Sequence, residues 1–244
     1  MMLKKSLMFV CSVGALSLFA ISGCSSTPAG NDAGGGDDSG AAKDSGTTKD
    51  SGPAKDSGPA PAMCPEPADV SGFMPGTATP PHPKQANACM DADYAAFYTA
   101  CYAQGATQTT CQNWTMAHDT CFKCLVSSDQ DAQWGAIVEG GGVASINVAG
   151  CLTLVGDVAC AKAYADNKQC QDAGCKTQCP VTDNASFTLY QQCITKVSAG
   201  GCKKYTDAAN TACAPDASPN VTKCTGSGGF QGLIPVVGKV FCGP

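Results

Sequence analysis

The stretch CMDADYAAFYTACYAQGATQTTCQNWTMAHDTCFKC (89–124) decides the fold of this chain. Four residues in its first half follow the i, i+3, i+4, i+7 spacing of one helix face, namely Tyr94, Phe97, Tyr98 and Cys101. Gly105 is expected to end this helix, because glycine is the preferred residue just past a helix C-terminus. Thr109 or Thr110 is then expected to cap a second helix. The stretch therefore predicts two antiparallel helices that meet near Gly105.

The cysteines of this stretch are placed so that they can cross-link the two helices. Cys101 and Cys111 lie four and six residues from Gly105, and Cys89 and Cys121 each lie 16 residues from it. Cysteines ten residues apart on one helix are separated by about 15 Å along its axis, which is too far for a disulfide. We therefore expect two bonds between the helices, Cys101–Cys111 near the turn and Cys89–Cys121 at the open end.

Cys124 lies one helical turn past Cys121, so we expect it to bond outside the hairpin, to an element such as the segment around Cys151. A Cys121–Cys124 bond within one helix is the competing arrangement, and it would leave Cys89 to pair elsewhere. The hairpin spacing resembles that of the twin Cys-x₉-Cys helical hairpins of small oxidised mitochondrial proteins. The resemblance covers about 35 residues. It implies the hairpin fold and no particular function.

Cysteine triples spaced about ten residues apart recur along the chain, with glycine between the first and second cysteine of each. The triples are 101/111/121, 151/160/170 and 193/202/213. Asp157 can cap a helix before VACAKAYADNKQC, and ASFTLYQQCITKVSA is also typical of a helix. We expect a mainly α, disulfide-rich array of two or three αα-hairpins over residues 86–213.

The cysteine count favours an oxidised protein. Eighteen of the 244 residues are Cys. Cys11 is expected to leave with a leader peptide and Cys24 to carry lipid, so sixteen remain. An even number at this density is typical of a secreted disulfide scaffold, and it predicts eight disulfides.

The N-terminus has the pattern of a bacterial secretion signal. Lys4 and Lys5 precede an apolar run from Leu7 to Ile21, which is too short for a comfortable membrane span. Ile21-Ser22-Gly23-Cys24 then resembles a lipobox. The resemblance implies removal of residues 1–23, lipidation of Cys24 and anchoring in the cell envelope. Ser25 after the lipid site favours the outer membrane, and an ordinary secretory signal is the alternative.

The remaining segments lack the pattern of a core. Residues 24–63 contain the repeat GGDDSG, AAKDSG, TTKDSG and PAKDSG, which predicts a lipidated, disordered tether. Residues 64–85 are rich in proline, and we expect an extended arm laid onto the domain. For residues 214–244 we expect an irregular tail pinned by Cys224 and Cys242, in which FQGLIPVVGKVF forms an extended segment or a short strand.

The charge of the chain excludes nucleic acid as a partner. All 15 basic residues are lysine, against 20 acidic residues and a net charge of −5. Such a chain lacks the basic footprint with which proteins neutralise nucleic-acid phosphates.

Motifs for catalysis are few. His118-x-x-Cys121-x-x-Cys124 is the best local candidate for a zinc site or a redox pair, and either would need free thiols. We expect oxidised cysteines there instead, and therefore no catalytic residue, metal or cofactor.

The overall pattern resembles the Cys-rich lipoproteins of social, predatory soil bacteria, which combine a lipobox, a low-complexity linker and a Cys-dense domain. The resemblance implies an envelope protein and no established activity. We expect a non-enzymatic binding, adhesion or structural module with an unknown envelope or extracellular ligand. The alternatives are a secreted redox or metal-dependent enzyme centred on Cys121, Cys124 and His118, and an inhibitor of a foreign hydrolase.

Overall fold

The computed structural model describes Met8–Phe9 and residues 66–244. The described residues form eight α-helices: α1 (Asp91–Cys101), α2 (Gln108–Ala117), α3 (Asp119–Leu125), α4 (Val148–Leu154), α5 (Val158–Cys175), α6 (Asn184–Ala199), α7 (Lys203–Ala212) and α8 (Gly229–Cys242). Four short strands accompany them: β1 (Met8–Phe9), β2 (Val126–Ser128), β3 (Ile137–Gly140) and β4 (Val143–Ile146). The prediction of a mainly α, disulfide-rich fold is confirmed.

The expected glycines separate the first two helices that each cysteine triple spans. Cys121 of the first triple lies on a further helix, α3, and Cys202 and Cys213 of the third triple flank α7. α1 and α2 are connected through Gly105 and α4 and α5 through Gly156, and both glycines adopt a left-handed φ of 89°. Residues with a Cβ rarely adopt this conformation, so glycine is required at both turns. The cap of α2 is Thr107, whose hydroxyl accepts a hydrogen bond from the Thr110 amide. The helix therefore begins earlier than the expected Thr109 or Thr110.

A small sheet that was not expected from the sequence lies beside the helices. Its strand order is β1-β4-β3-β2, with β3 and β4 antiparallel and both outer pairs parallel. β3 and β4 are joined by Gly141 and Gly142, with φ of 62° and 82°. Two successive residues at positive φ are what a type I′ hairpin turn requires.

Buried side chains form two separate clusters. The first is formed by α1–α4, the sheet, the start of α5 and α8, and it contains the aromatic residues Tyr94, Phe97, Tyr102, Trp114, Phe230 and Phe241. The second joins α5, α6 and the start of α7, and five of its eight buried members are cysteines. Val70 of the proline-rich arm completes it. Because most of its buried residues are cysteines, its packing depends directly on the disulfides.

The C-terminal segment corrects the expectation of an irregular, extended tail. Residues Gly229–Cys242 form α8, although Pro235 lies inside the helix. Phe230, Ile234, Val237 and Phe241 follow one helix face, and each is at most 4% exposed. Proline in a helix interior costs roughly 3 kcal/mol, and burial of four large apolar side chains exceeds that cost at roughly 1.5–3 kcal/mol each. Gly238 lets the helix lie against the Tyr94 ring, where a Cβ would be only 2.6 Å from that ring.

The part of the proline-rich arm that the structure describes contacts the domain at several points. The Ala68 amide donates a hydrogen bond to the Gly174 carbonyl at the end of α5 (2.9 Å). Further along, the His82 amide donates to the Trp134 carbonyl (2.7 Å), and Gln85 donates to Phe241 in α8 (2.7 Å). These bonds fix the extended arm along both core clusters.

Candidate functional site

The predicted lipidation site lies outside the described residues. Cys24, the lipobox around it and the tether of residues 24–63 are all in that part of the chain. Among the helices of the described residues, none combines the length and the apolar character that a bilayer crossing needs.

The first hairpin contains both of the disulfides expected there. Cys101 bonds to Cys111 with a Cα–Cα distance of 4.5 Å, and Cys89 bonds to Cys121 at 4.7 Å. One bond lies beside the turn and the other at the open end of the hairpin. The pairing follows from antiparallel geometry, in which residues equidistant from the turn face each other. All four sulfur atoms are therefore committed to holding α1 against α2 and α3.

Cys124 bonds outside the hairpin, but not to the segment around Cys151 as expected. Its partner is Cys242, at the end of α8, with a Cα–Cα distance of 5.9 Å. Cys151 bonds instead to Cys224. The reason is that the C-terminal segment is a helix packed against α3. That packing brings Cys242 to Cys124.

The second and third cysteine triples are linked to each other through α5. This helix carries three cysteines whose partners lie in reverse order along α6 and α7: Cys160–Cys213, Cys170–Cys202 and Cys175–Cys193. A nested ladder of this kind joins the α4–α5 and α6–α7 pairs into one body. The array is therefore cross-linked between its hairpins as well as within the first one.

Cys179 is also disulfide-bonded. Every other described cysteine belongs to one of the seven pairs given above.

The His118 motif lacks the free thiols that zinc or redox chemistry would need. Cys121 and Cys124 are bonded to different partners, so neither a metal-binding thiolate nor a Cys121–Cys124 redox pair is present. The His118 ring stacks on Trp114 with centroids 4.7 Å apart, and its Nδ1 lies 3.2 Å from Asp93 Oδ1. The arrangement ties α2 to the start of α1. Both sulfur atoms of the motif are therefore held in disulfides to residues outside it.

Asp93 and Asp131 close turns in the backbone. The Asp93 carboxylate accepts a hydrogen bond from the Met90 amide (2.7 Å) and so caps α1. Asp131 accepts from the Ser128 amide (2.7 Å) in the loop between β2 and β3, where no helix begins. Within residues 66–244, no group of three or more His, Cys, Asp or Glu residues could hold a metal ion.

Buried tyrosines supply polar links that the sequence analysis missed. The Tyr102 hydroxyl donates to Glu139 at 2.7 Å and joins the end of α1 to β3. Burial, and then the Glu139 carboxylate, raises the pKa of Tyr102 well above its ordinary value. The Tyr190 hydroxyl donates to Asp172 at 2.8 Å and joins α6 to α5. Each phenol stays protonated at neutral pH and acts as a structural donor.

Tyr94 differs from these two, because its buried hydroxyl has no hydrogen-bond partner among the described residues. Burial, with smaller contributions from Asp91 and Asp93, raises the pKa of Tyr94 to about 12. Burying a hydroxyl that has no hydrogen-bond partner destabilises the folded state, because the group loses its hydrogen bonds to water.

We expect Tyr94→Phe to raise the free energy of unfolding by about 1 kcal/mol, because it removes a polar atom that gains nothing in the folded state. The matched Tyr102→Phe should lower it by about 1–2 kcal/mol, because Glu139 then loses its donor. Urea denaturation of the two variants measures both changes. A destabilised Tyr94→Phe variant would show that its hydroxyl is bonded in solution.

Two open grooves lie on the described surface. One, of about 590 Å³, lies along α1 and the following turn and is lined by small residues from Ala95 to Thr110. The other, of about 480 Å³, lies between the arm and the end of α6 and is lined by Glu66, Asp69 and Lys196 among others. The first groove has no titratable lining residue. In the second, Lys196 pairs with Glu66 at 2.8 Å.

Comparisons of the chain with protein-family models, with curated proteins and with solved structures find no match.

Proposed function

We propose that this protein is a lipid-anchored envelope protein whose disulfide-linked helical domain acts as a non-enzymatic binding or structural module. The observation that carries the proposal is that the strongest candidate for chemistry, the His118 motif, has both of its sulfur atoms in separate structural disulfides. The cysteine-rich helices support secretion to an oxidising compartment, because disulfides persist there.

The way the chain enters the domain fits a tethered module. The described arm begins at Glu66, beside Lys196 of α6, and Ala68 is bonded to the end of α5. If the predicted tether of about 40 residues is flexible, it would give a root-mean-square reach of roughly 35 Å. That reach would let the domain sample the surroundings of the membrane while it remains anchored.

We expect Cys24→Ser to abolish membrane anchoring, because the serine hydroxyl cannot form the thioether to diacylglycerol. The variant should appear in the soluble fraction or remain unprocessed, whereas the wild type fractionates with membranes and gains the mass of the lipid. Mass spectrometry of the N-terminal peptide and membrane fractionation measure this. Ser25→Ala serves as a control that leaves the lipid site intact. A Cys24→Ser variant that is cleaved normally and still sediments with membranes would contradict the anchor.

The binding function is tested with the immobilised, lipid-free chain from residue 25 onward. Envelope extracts, polysaccharides and material from prey cells are passed over it, and the same chain after reduction and alkylation is the control. We expect at least one component to be retained by the native domain and lost with the reduced control. Equal retention by both forms would contradict a binding site built by the fold.

A further inference from the structure

The outer edge of β4 is occupied by a segment that the proposed processing removes. β4 lies between β3 and β1, and its parallel register with β1 pairs Met8 with Val143 and Phe9 with Ala144. Met8 and Phe9 belong to residues 1–23, the proposed leader. In the processed chain, β4 would therefore be the edge strand of the sheet β4-β3-β2.

The direction of the free hydrogen-bonding groups on β4 follows from the ladder with β3. The Asn147 amide donates to the Ala136 carbonyl at 2.9 Å, which continues the β3–β4 register by one pair. In an antiparallel ladder, bonded and non-bonded pairs alternate. Val143, Ser145 and Asn147 therefore bond towards β3. Ala144 and Ile146 direct their amides and carbonyls towards the edge that β1 occupies.

β4 also lacks the features that keep natural edge strands from pairing. Such strands are usually interrupted by proline or carry charged side chains, above all lysine. The sequence Val143-Ala144-Ser145-Ile146 has neither. Ala144 and Ile146 are buried on the core face, at 2% and 8% exposure. A residue added opposite Ala144 would lie on that same face, which favours an apolar side chain there.

We propose that the β4 edge of the processed protein is a strand-addition site for an extended, apolar peptide segment of a partner, bound parallel to β4. Met8–Phe9 stand in for such a strand in the structure. Main-chain hydrogen bonds would supply much of the affinity, and alternate apolar side chains would supply the selectivity, as in other cases of β-augmentation. This inference rests on the proposed removal of the leader and names the kind of partner that the module binds.

The test uses the lipid-free chain from residue 25 onward, which retains both core clusters and all seven described disulfides. The probe is a labelled synthetic peptide, KSLMFVSSVG, that corresponds to residues 5–14 with Cys11→Ser. Fluorescence anisotropy measures its binding. Hydrogen exchange resolved by residue should show slower exchange at the Ala144 and Ile146 amides. The exchange rates of the Val143 and Ser145 amides, which already bond to β3, should be unchanged.

Two N-methylated peptides provide a matched pair. In a parallel ladder, a residue bonds to the two neighbours of its partner. In the numbering of the full chain, Phe9 of the peptide lies opposite Ala144. Residues 8 and 10 of the peptide therefore make the hydrogen bonds to Ala144. N-methylation at position 10 should weaken binding about tenfold, since it removes one of these bonds. The amide of residue 9 points away from β4, so its N-methylation should have little effect on binding.

Absence of peptide binding, equal loss with both methylated peptides, or slowed exchange confined to residues other than Ala144 and Ile146 would overturn the proposal. Concentration-dependent self-association that protects the same two amides would also overturn it, because the occupant would then be a second copy of the chain. The intact mass of the native protein separately reports whether residues 1–23 are removed. Failure of leader removal and failure of the edge site are therefore distinguishable.

Discussion

Complete reduction is expected to unfold the domain. A native disulfide typically contributes about 2–4 kcal/mol, and an ordinary domain has a total stability of only about 5–15 kcal/mol. Seven bonds link the described residues. Their contributions are not additive, but losing all of them exceeds the total free energy of unfolding of a small helical domain. The second core cluster depends on these bonds most directly, because five of its eight buried residues are cysteines.

Far- and near-ultraviolet circular dichroism after reduction and alkylation measures this effect, with mass spectrometry confirming that every thiol is blocked. The control is the same protein treated with the alkylating reagent alone, which should keep its spectrum. We expect loss of most of the helical signal and a collapse of the near-ultraviolet signal. A fully reduced protein that keeps its helical spectrum and melts cooperatively would show that apolar packing alone holds the fold.

The second large effect is expected from Cys124→Ala combined with Cys242→Ala. This bond closes the longest loop among the described disulfides, with a sequence separation of 118. The Cys151–Cys224 bridge shortens the effective loop, and the chain-entropy relation then gives a loss of about 4 kcal/mol. The pair Cys101→Ala and Cys111→Ala is the matched control, because its separation is only 10. The same relation gives about 3 kcal/mol for it.

Guanidinium denaturation of the two double variants compares these losses. The Cys124–Cys242 variant also releases α8 from α3, so we expect the larger decrease in unfolding free energy together with increased hydrogen exchange in Gly229–Cys242. The hairpin variant should keep α8 protected. A greater loss in the hairpin variant, or full protection of α8 without its disulfide, would contradict the role assigned to this bond.

The helices were predictable where amphipathic spacing and glycine turns coincide. Gly105 and Gly156 lie at left-handed turns that end one helix before the next begins. The nearly symmetric spacing of four cysteines about Gly105 was enough to predict two disulfides, because those contacts are local. The Cys124–Cys242 bond depends on the packing of a distant helix, which no local pattern encodes.

Two elements were missed for identifiable reasons. Pro235 and Gly238 suggested an interrupted segment, although Phe230, Ile234 and Phe241 already followed a helical face. The β3–β4 hairpin was missed because its strands have only four residues each. Its signal was the pair Gly141-Gly142 between two short apolar runs.

The chemistry of the candidate site was only partly predictable. The even cysteine count and the leader pattern favoured oxidised thiols at Cys121 and Cys124. The sequence could not show that His118 contacts Asp93 and Trp114, because those contacts depend on how α1 packs against α2. The links from Tyr102 to Glu139 and from Tyr190 to Asp172 likewise join residues far apart in the sequence.

Peptide mapping of the native protein under non-reducing conditions, combined with a count of free thiols, tests the central claim most directly. The account predicts no free thiol in residues 25–244 and linked peptides that contain Cys89–Cys121 and Cys124–Cys242. A free thiol at Cys121 or Cys124, or a bond between these two residues, would contradict it. Either result would restore the His118 motif as a candidate redox or metal centre.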